Sequence, residues 1–166
     1  MSLVCVAILL IGTVTTVFTS FKTTTSLSNS LNAMENKAAE VSRTFINTGI
    51  SEYSDVLQMN VYNAGQSDLK DFKNWDVIAE FEQEGNKYSI YLTKSDNTVP
   101  GDNQWALQGI YLTDGSPEVF DPGILNPGEH AVIAIKLEPP LDEHVTARIT
   151  TSTELGITAQ CQITRP

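Results

Sequence analysis

At 166 residues the chain has room for one globular domain and an appendage, but not for two domains with separate cores. Its formal charge of −10 is unevenly spread: residues 1–50 carry three Lys or Arg against two Asp or Glu, and residues 51–166 carry seven against eighteen. An acidic part without a basic stripe excludes nucleic acid as a partner, because phosphate binding needs clustered cations; it suits a solvated outer surface.

Residues 1–21 contain no charged side chain. Leaving the large apolar members wet (Met1, Leu3, Val4, Val6, Ile8, Leu9, Leu10, Ile11, Val14, Val17 and Phe18) would cost on the order of 20 kcal/mol at ~1.5–3 each. The stability of a whole domain is only ~5–15 kcal/mol. The segment is therefore expected to be buried, in lipid or among copies of itself. As a helix rising ~1.5 Å per residue it spans roughly 32 Å, enough to cross a ~30 Å hydrocarbon core. The interleaved Ser2, Gly12, Thr13, Thr15, Thr16, Thr19 and Ser20 make it less lipophilic than an ordinary anchor and permit close helix–helix approach. No Lys or Arg precedes Lys22 and no Ala-x-Ala follows the apolar run, so a cleaved secretory signal is not expected there.

From Thr23 to Asn32 the text is rich in Thr, Ser and Asn, and an ordinary charged helix follows with Glu35, Lys37, Glu40 and Arg43. Through it runs an apolar series, Leu27, Leu31, Met34, Ala38, Val41 and Phe45, at spacings of four, three, four, three and four. That is the seam of a helix packed on something. Asn47-Thr48-Gly49 reads as the helix stop, which sets a rod from Met1 to about Ile46, roughly 69 Å long. The expected division is residues 1–48 as an N-terminal hydrophobic helix and residues 49–166 as a β-head.

Beyond Gly49 the apolar period falls to two. Seven sets follow: Leu57, Met59 and Val61; Trp75, Val77, Ala79 and Phe81; Tyr88, Ile90 and Leu92; Trp105 and Leu107 into Ile110 and Leu112; Ala131, Ile133, Ile135 and Leu137; Val145, Ala147 and Ile149; Ile157, Ala159, Cys161 and Ile163. Turn signals such as Asn63-Ala64-Gly65, Glu84-Gly85-Asn86, Asp114-Gly115-Ser116-Pro117 and Asn126-Pro127-Gly128 separate them. Seven short strands so spaced predict an immunoglobulin-like sandwich, and the fold class is α+β.

No catalytic constellation is framed. His130 and His144 lie among carboxylates without metal-ligand spacing. The acidic loops at residues 96–102 and 114–121 do not follow the calcium-loop pattern, and no nucleophile elbow, phosphate loop or dinucleotide fingerprint is present. Neither enzyme activity nor a cofactor is expected, and Cys5 and Cys161 read as small hydrophobes without a bridge between them. No Asn is followed by x-Ser/Thr, so Asn-linked glycan is not expected.

Three stretches carry a family resemblance. Residues 1–21, continued by the amphipathic part to Phe45, resemble the filament-core helix of archaellins, the archaeal-type flagellar filament proteins, and of type IV pilin-like subunits. The run from Leu57 to Gly65 is similar to their first head strand and turn, and Asn126-Pro127-Gly128-Glu129 with the alternating strand behind it to a late hairpin; the segment from Arg148 to Cys161 resembles their closing strand pair around Gly156. Counted with Met1 as the mature terminus, Cys5 stands where bacterial type IV pilins carry a glutamate, and on that count the resemblance is to the archaeal-type branch.

The resemblance implies a precursor held in the membrane, a clipped leader, and polymerisation of many copies into an extracellular filament for motility or adhesion, built on a motor platform. It assigns the polymerisation contacts to Leu3, Val6, Leu9, Leu10, Ile11, Val14, Val17, Phe18, Leu27, Leu31, Met34, Val41 and Phe45. A second reading keeps residues 1–21 in lipid and makes the chain an anchored accessory or stator protein of the same machinery, whose β-sandwich grips a cell-surface layer. Abundant Thr and the seam to Phe45 favour helix packing over permanent lipid contact.

Overall fold

The computed structural model describes residues 28–39, 41 and 56–165, and residues 46–52 as backbone. The chain divides into two compact units, Met1–Glu40 and Val41–Pro166.

In the first unit residues 28–39 form an α-helix. Ala33, Ala38 and Ala39 with Leu31, Met34, Glu35 and Lys37 are strong helix formers, and the stretch has no β-branched residue and no Gly or Pro. The uncharged part of the expected rod, residues 1–21, lies outside the described residues, as do Leu27 and Phe45. Among the described residues no helix is long and apolar enough to cross a membrane.

The second unit is β-rich. Its strands are β1 (Ile46–Glu52), β2 (Leu57–Asn63), β3 (Asp76–Gln83), β4 (Asn86–Lys94), β5 (Gln104–Tyr111), β6 (His130–Lys136), β7 (Thr146–Ser152) and β8 (Thr158–Thr164). They form one eight-stranded sheet ordered β1-β2-β6-β5-β4-β3-β7-β8. Every pairing is antiparallel except β4 with β5, which are parallel and joined by only two pairs, Thr93 with Gln104 and Lys94 with Trp105. So slender a joint lets two four-stranded halves curl over a common core. Met59, Val61, Trp105, Ile133 and Ile135 enter that core from one half and Val77, Ala79, Leu92 and Ile149 from the other. The Sγ of Cys161 on β8 lies 3.5 Å from the Sδ of Met59 on β2.

The seven expected sets all lie in or beside strands, and two points differ. The first is β1, which the sequence reading had assigned to the end of a helix. Asn47, Thr48 and Gly49 do not stop a helix: they sit within β1, paired with Tyr62, Val61 and Asn60 of β2. Ile46, Thr48 and Ile50 alternate at period two, and β1 takes the open edge of β2. The glycine thus marks a strand interior rather than a cap.

The second point concerns β5, where the apolar residues change phase between Leu107 and Ile110. A register shift between Leu107 and Gly109 inserts one residue. A bulge of this kind moves the side chains beyond it to the opposite phase, so Trp105 and Ile110 both end up buried.

Candidate assembly surfaces

The helix of residues 28–39 exposes all of its side chains. Leu31 is 56% and Met34 69% exposed. With Ala38 they follow the three-and-four spacing that places them on one face. Val41 is half-buried. Of the other residues assigned to polymerisation, Leu3, Val6, Leu9, Leu10, Ile11, Val14, Val17 and Phe18 lie outside the described residues, together with Leu27 and Phe45.

In the head, two stretches quoted for the resemblance meet. Asn63, at the end of β2, is buried, and its Nδ2 donates to the carbonyls of Ser67 at 2.8 Å and Leu125 at 2.9 Å while its Oδ1 accepts from the Gly65 N–H at 3.0 Å. The backbone of Asn63 also bonds Gly128 and Glu129 of the second stretch, and the buried Glu129 carboxylate accepts from the N–H and Nδ2 of Asn126. Gly128 has φ +87, where an L side chain is strained. A buried asparagine therefore ties the turn after β2 to the turn before β6.

Between Tyr111 and His130 runs a loop whose carboxylates organise its own backbone. One oxygen of Asp114 accepts from the N–H of Ser116 at 2.9 Å and its hydroxyl at 2.6 Å. One oxygen of Glu118 accepts from the N–H of Phe120 at 2.6 Å and of Asp121 at 3.2 Å. The Ser116 hydroxyl and then its N–H hold the Asp114 carboxyl below its ordinary range; the N–H groups of Phe120 and then Asp121 do so for Glu118.

The loop so held presents Val119, 70% exposed, and Phe120, 89% exposed. Burying each would gain ~1.5–3 kcal/mol. In the sequence this stretch reads only as an acidic loop without a calcium pattern, and the one signal of an apolar tip is a Val-Phe pair set between two carboxylates and two prolines.

A group with a lowered folded-state value stabilises above the unfolded carboxylate range and stops doing so as pH falls through the folded value. The hydrogen-exchange protection of the Ser116, Phe120 and Asp121 amides is therefore expected to drop between neutral pH and about pH 3. Constant protection over that span would show that the carboxylates do not hold the loop.

A shallow cavity of about 450 Å³ lies on β3, β4, β7 and β8. Its lining includes Phe81 and Tyr88, whose rings stack at 4.8 Å, together with Lys87 and the pair Arg148–Glu80, joined at 2.8 Å. Lys87 is exposed and makes no ion pair among the described residues.

The histidines occupy separate places. His130 stacks between Tyr62 at 5.2 Å and Tyr111 at 5.5 Å, across three neighbouring strands. His144, at φ 64, donates its backbone N–H to the Arg165 carbonyl. Among the described residues no group of three His, Cys, Asp or Glu is placed to hold a metal ion.

No protein-family model matches the sequence, and no curated protein matches it. Solved structures do. The crystal structure of the archaeal flagellin FlaB1 from Methanocaldococcus jannaschii is 16% identical over 74% of this chain and 91% of its own, with a TM-score of 0.52. The archaellum periplasmic stator protein complex of FlaF and FlaG from Sulfolobus acidocaldarius is 17% identical over 71% of this chain and 87% of the matched one, with a TM-score of 0.50. The stator protein FlaG from the same organism is 17% identical over 72% and 99%, at 0.47. The resemblance read from the residues is thus met in three dimensions: the chain is similar in fold to archaellum components, a filament flagellin and a stator complex alike.

Proposed function

We propose that this chain is a non-enzymatic component of an archaellum-type machine and, within it, a subunit of the extracellular filament. The N-terminal segment that precedes β1 bundles with the same segment of sister copies in the filament core, and an immunoglobulin-like β-head faces outward. The membrane holds the subunit before assembly, and the motor platform is where it joins the filament. The observation that carries this reading is the helix of residues 28–39, whose Leu31 and Met34 stand in solvent at helical spacing. A stripe of that kind gains stability by packing on other helices. The formal charge of −11 over residues 51–166 keeps neighbouring polymers apart.

The stator reading is favoured by one observation: the likeness to the FlaF and FlaG complex, at 0.50, matches that to the flagellin, at 0.52. In that reading residues 1–21 remain in lipid and the head grips a cell-surface layer. Shearing cells and identifying the shed protein by negative-stain microscopy and mass spectrometry separates the two. The filament reading expects this chain as a main constituent of the shed filaments; recovery only with detergent-solubilised membranes favours the stator.

A further inference from the structure

The two outward faces of the head differ in charge. On β3, β4 and β7 the outward rows include Asp76, Glu80, Glu82, Lys87 and Arg148. On β2, β6 and β5 the register stacks three outward rows, Tyr62–His130–Tyr111, Asn60–Val132–Gly109 and Gln58–Ala134–Ala106, with no carboxylate, ammonium or guanidinium among them. The charged residues that border these rows are Lys136, joined to Asp102 at 2.6 Å, and Glu52, the β1 partner of Gln58. Residues 51–166 carry eighteen Asp or Glu against seven Lys or Arg, and this face is where an acidic neighbour meets no like charge.

The neutral face is also preset. The His130 ring is stacked between those of Tyr62 and Tyr111. The Tyr111 ring lies across Gly109, where an added methyl would stand 3.2 Å from it, and Gln58 donates its side-chain amide to Gln108 at 3.2 Å. Side chains already held by one another lose little freedom when they are covered. The aromatic row continues past β5, since Pro117 pairs with Tyr111, and the exposed Val119 and Phe120 follow within three residues.

Rings whose faces are taken up by one another leave no stacking platform for a sugar, and small ligands seek concave sites. A surface rich in tyrosine and poor in charge has instead the composition of the centre of a protein contact. In a filament the molecule beside each head is another acidic head, which approaches at least electrostatic cost where no carboxylate faces it.

We propose that the Tyr62–His130–Tyr111 face, with the hairpin of Pro117 and Phe120 at its margin, is covered by the head of a neighbouring copy. This rests on the filament reading, which supplies the neighbours. Four strands about 4.8 Å apart and five residues at ~3.3 Å each make roughly 300 Å². That is less than the ~800 Å² per partner of a free-standing pair, so the contact adds to the helix packing.

Matched pairs of carboxylates in the full-length chain test it. Gln58→Glu with Asn60→Asp puts two charges on the neutral face; Gln160→Glu with Gln162→Glu puts two on exposed positions of β8. All four changes keep the side chain's size, and the unfolding midpoint of the head is expected to stay put. The neutral-face pair should lower the yield of sheared filaments about tenfold or more, and the β8 pair should keep it within about twofold. Normal yield from the neutral-face pair, or equal loss from both, overturns the proposal and leaves the filament subunit standing. Recovery of an untagged copy with a tagged one from detergent extracts decides the matter if the unsubstituted chain sheds no filaments. The filament reading then fails, while loss of recovery in the neutral-face pair alone supports the contact between copies and unchanged recovery removes it.

Discussion

Replacing Leu10 with Asp is expected to abolish filament assembly. Leu10 sits mid-way in the uncharged run of residues 1–21, which the proposal buries among sister helices. A carboxylate there has no cation to meet in the same segment, since the first is Lys22. The effective penalty for burying an unpaired ion is several kcal/mol, and in a helical polymer it recurs in every subunit. Val14→Asp should behave alike.

The head should be untouched by either change, so the thermal midpoint of its unfolding stays where it was while the filament yield in the shear fraction falls to background. Gly101→Ala makes a suitable control. A methyl at Gly101 meets the side chain of Gln104 at 3.0 Å, which is flexible and exposed enough to move, and assembly should continue. Filaments of normal abundance from Leu10→Asp would contradict helix packing in the core.

Trp75→Ala is expected to cost the head about 3–5 kcal/mol, the usual range for a large buried aromatic. Trp75 is fully buried, packs against Phe72 at 4.6 Å between ring centres, and donates its Nε1 proton to Glu154 at 2.7 Å and to the Lys70 carbonyl at 3.2 Å. Truncation leaves both a cavity and a carboxylate without its indole partner. Against a total of ~5–15 kcal/mol that is a large share, and the unfolding midpoint should fall by roughly 10–20 °C. Trp75→Phe keeps most of the volume but loses the indole donor, so it should lie between the two. Calorimetry of the full chain reads both, and a fall of only a degree or two for Trp75→Ala would show that this corner of the core does not set the stability.

The head was legible because its strands are half-buried. An alternating pattern such as Val77, Ala79 and Phe81 fixes both the strand and the face it presents to the core. The bulge in β5 left its mark as a change of phase. What misled was local chemistry: Asn47-Thr48-Gly49 has the composition of a helix stop, yet the open edge of β2 recruits it as a strand. Pairing with a distant segment overrides a three-residue signal.

The surfaces were legible only in part. The seam through Leu31 and Met34 could be read because a helix repeats. The Val119-Phe120 tip could not, because its exposure depends on Glu118 folding the loop back on itself. The cavity was hidden for a similar reason, since its lining comes from four strands set side by side by the register of the sheet.

The claim that matters most is that the N-terminal helix packs on its own copies. Cryo-electron microscopy of filaments sheared from cells tests it directly. The reading predicts a central bundle of helices in which Leu31 and Met34 of each subunit are covered by neighbouring helices, with β-heads arrayed outside. Filaments built from a different protein, with this chain left in the membrane fraction, would contradict it.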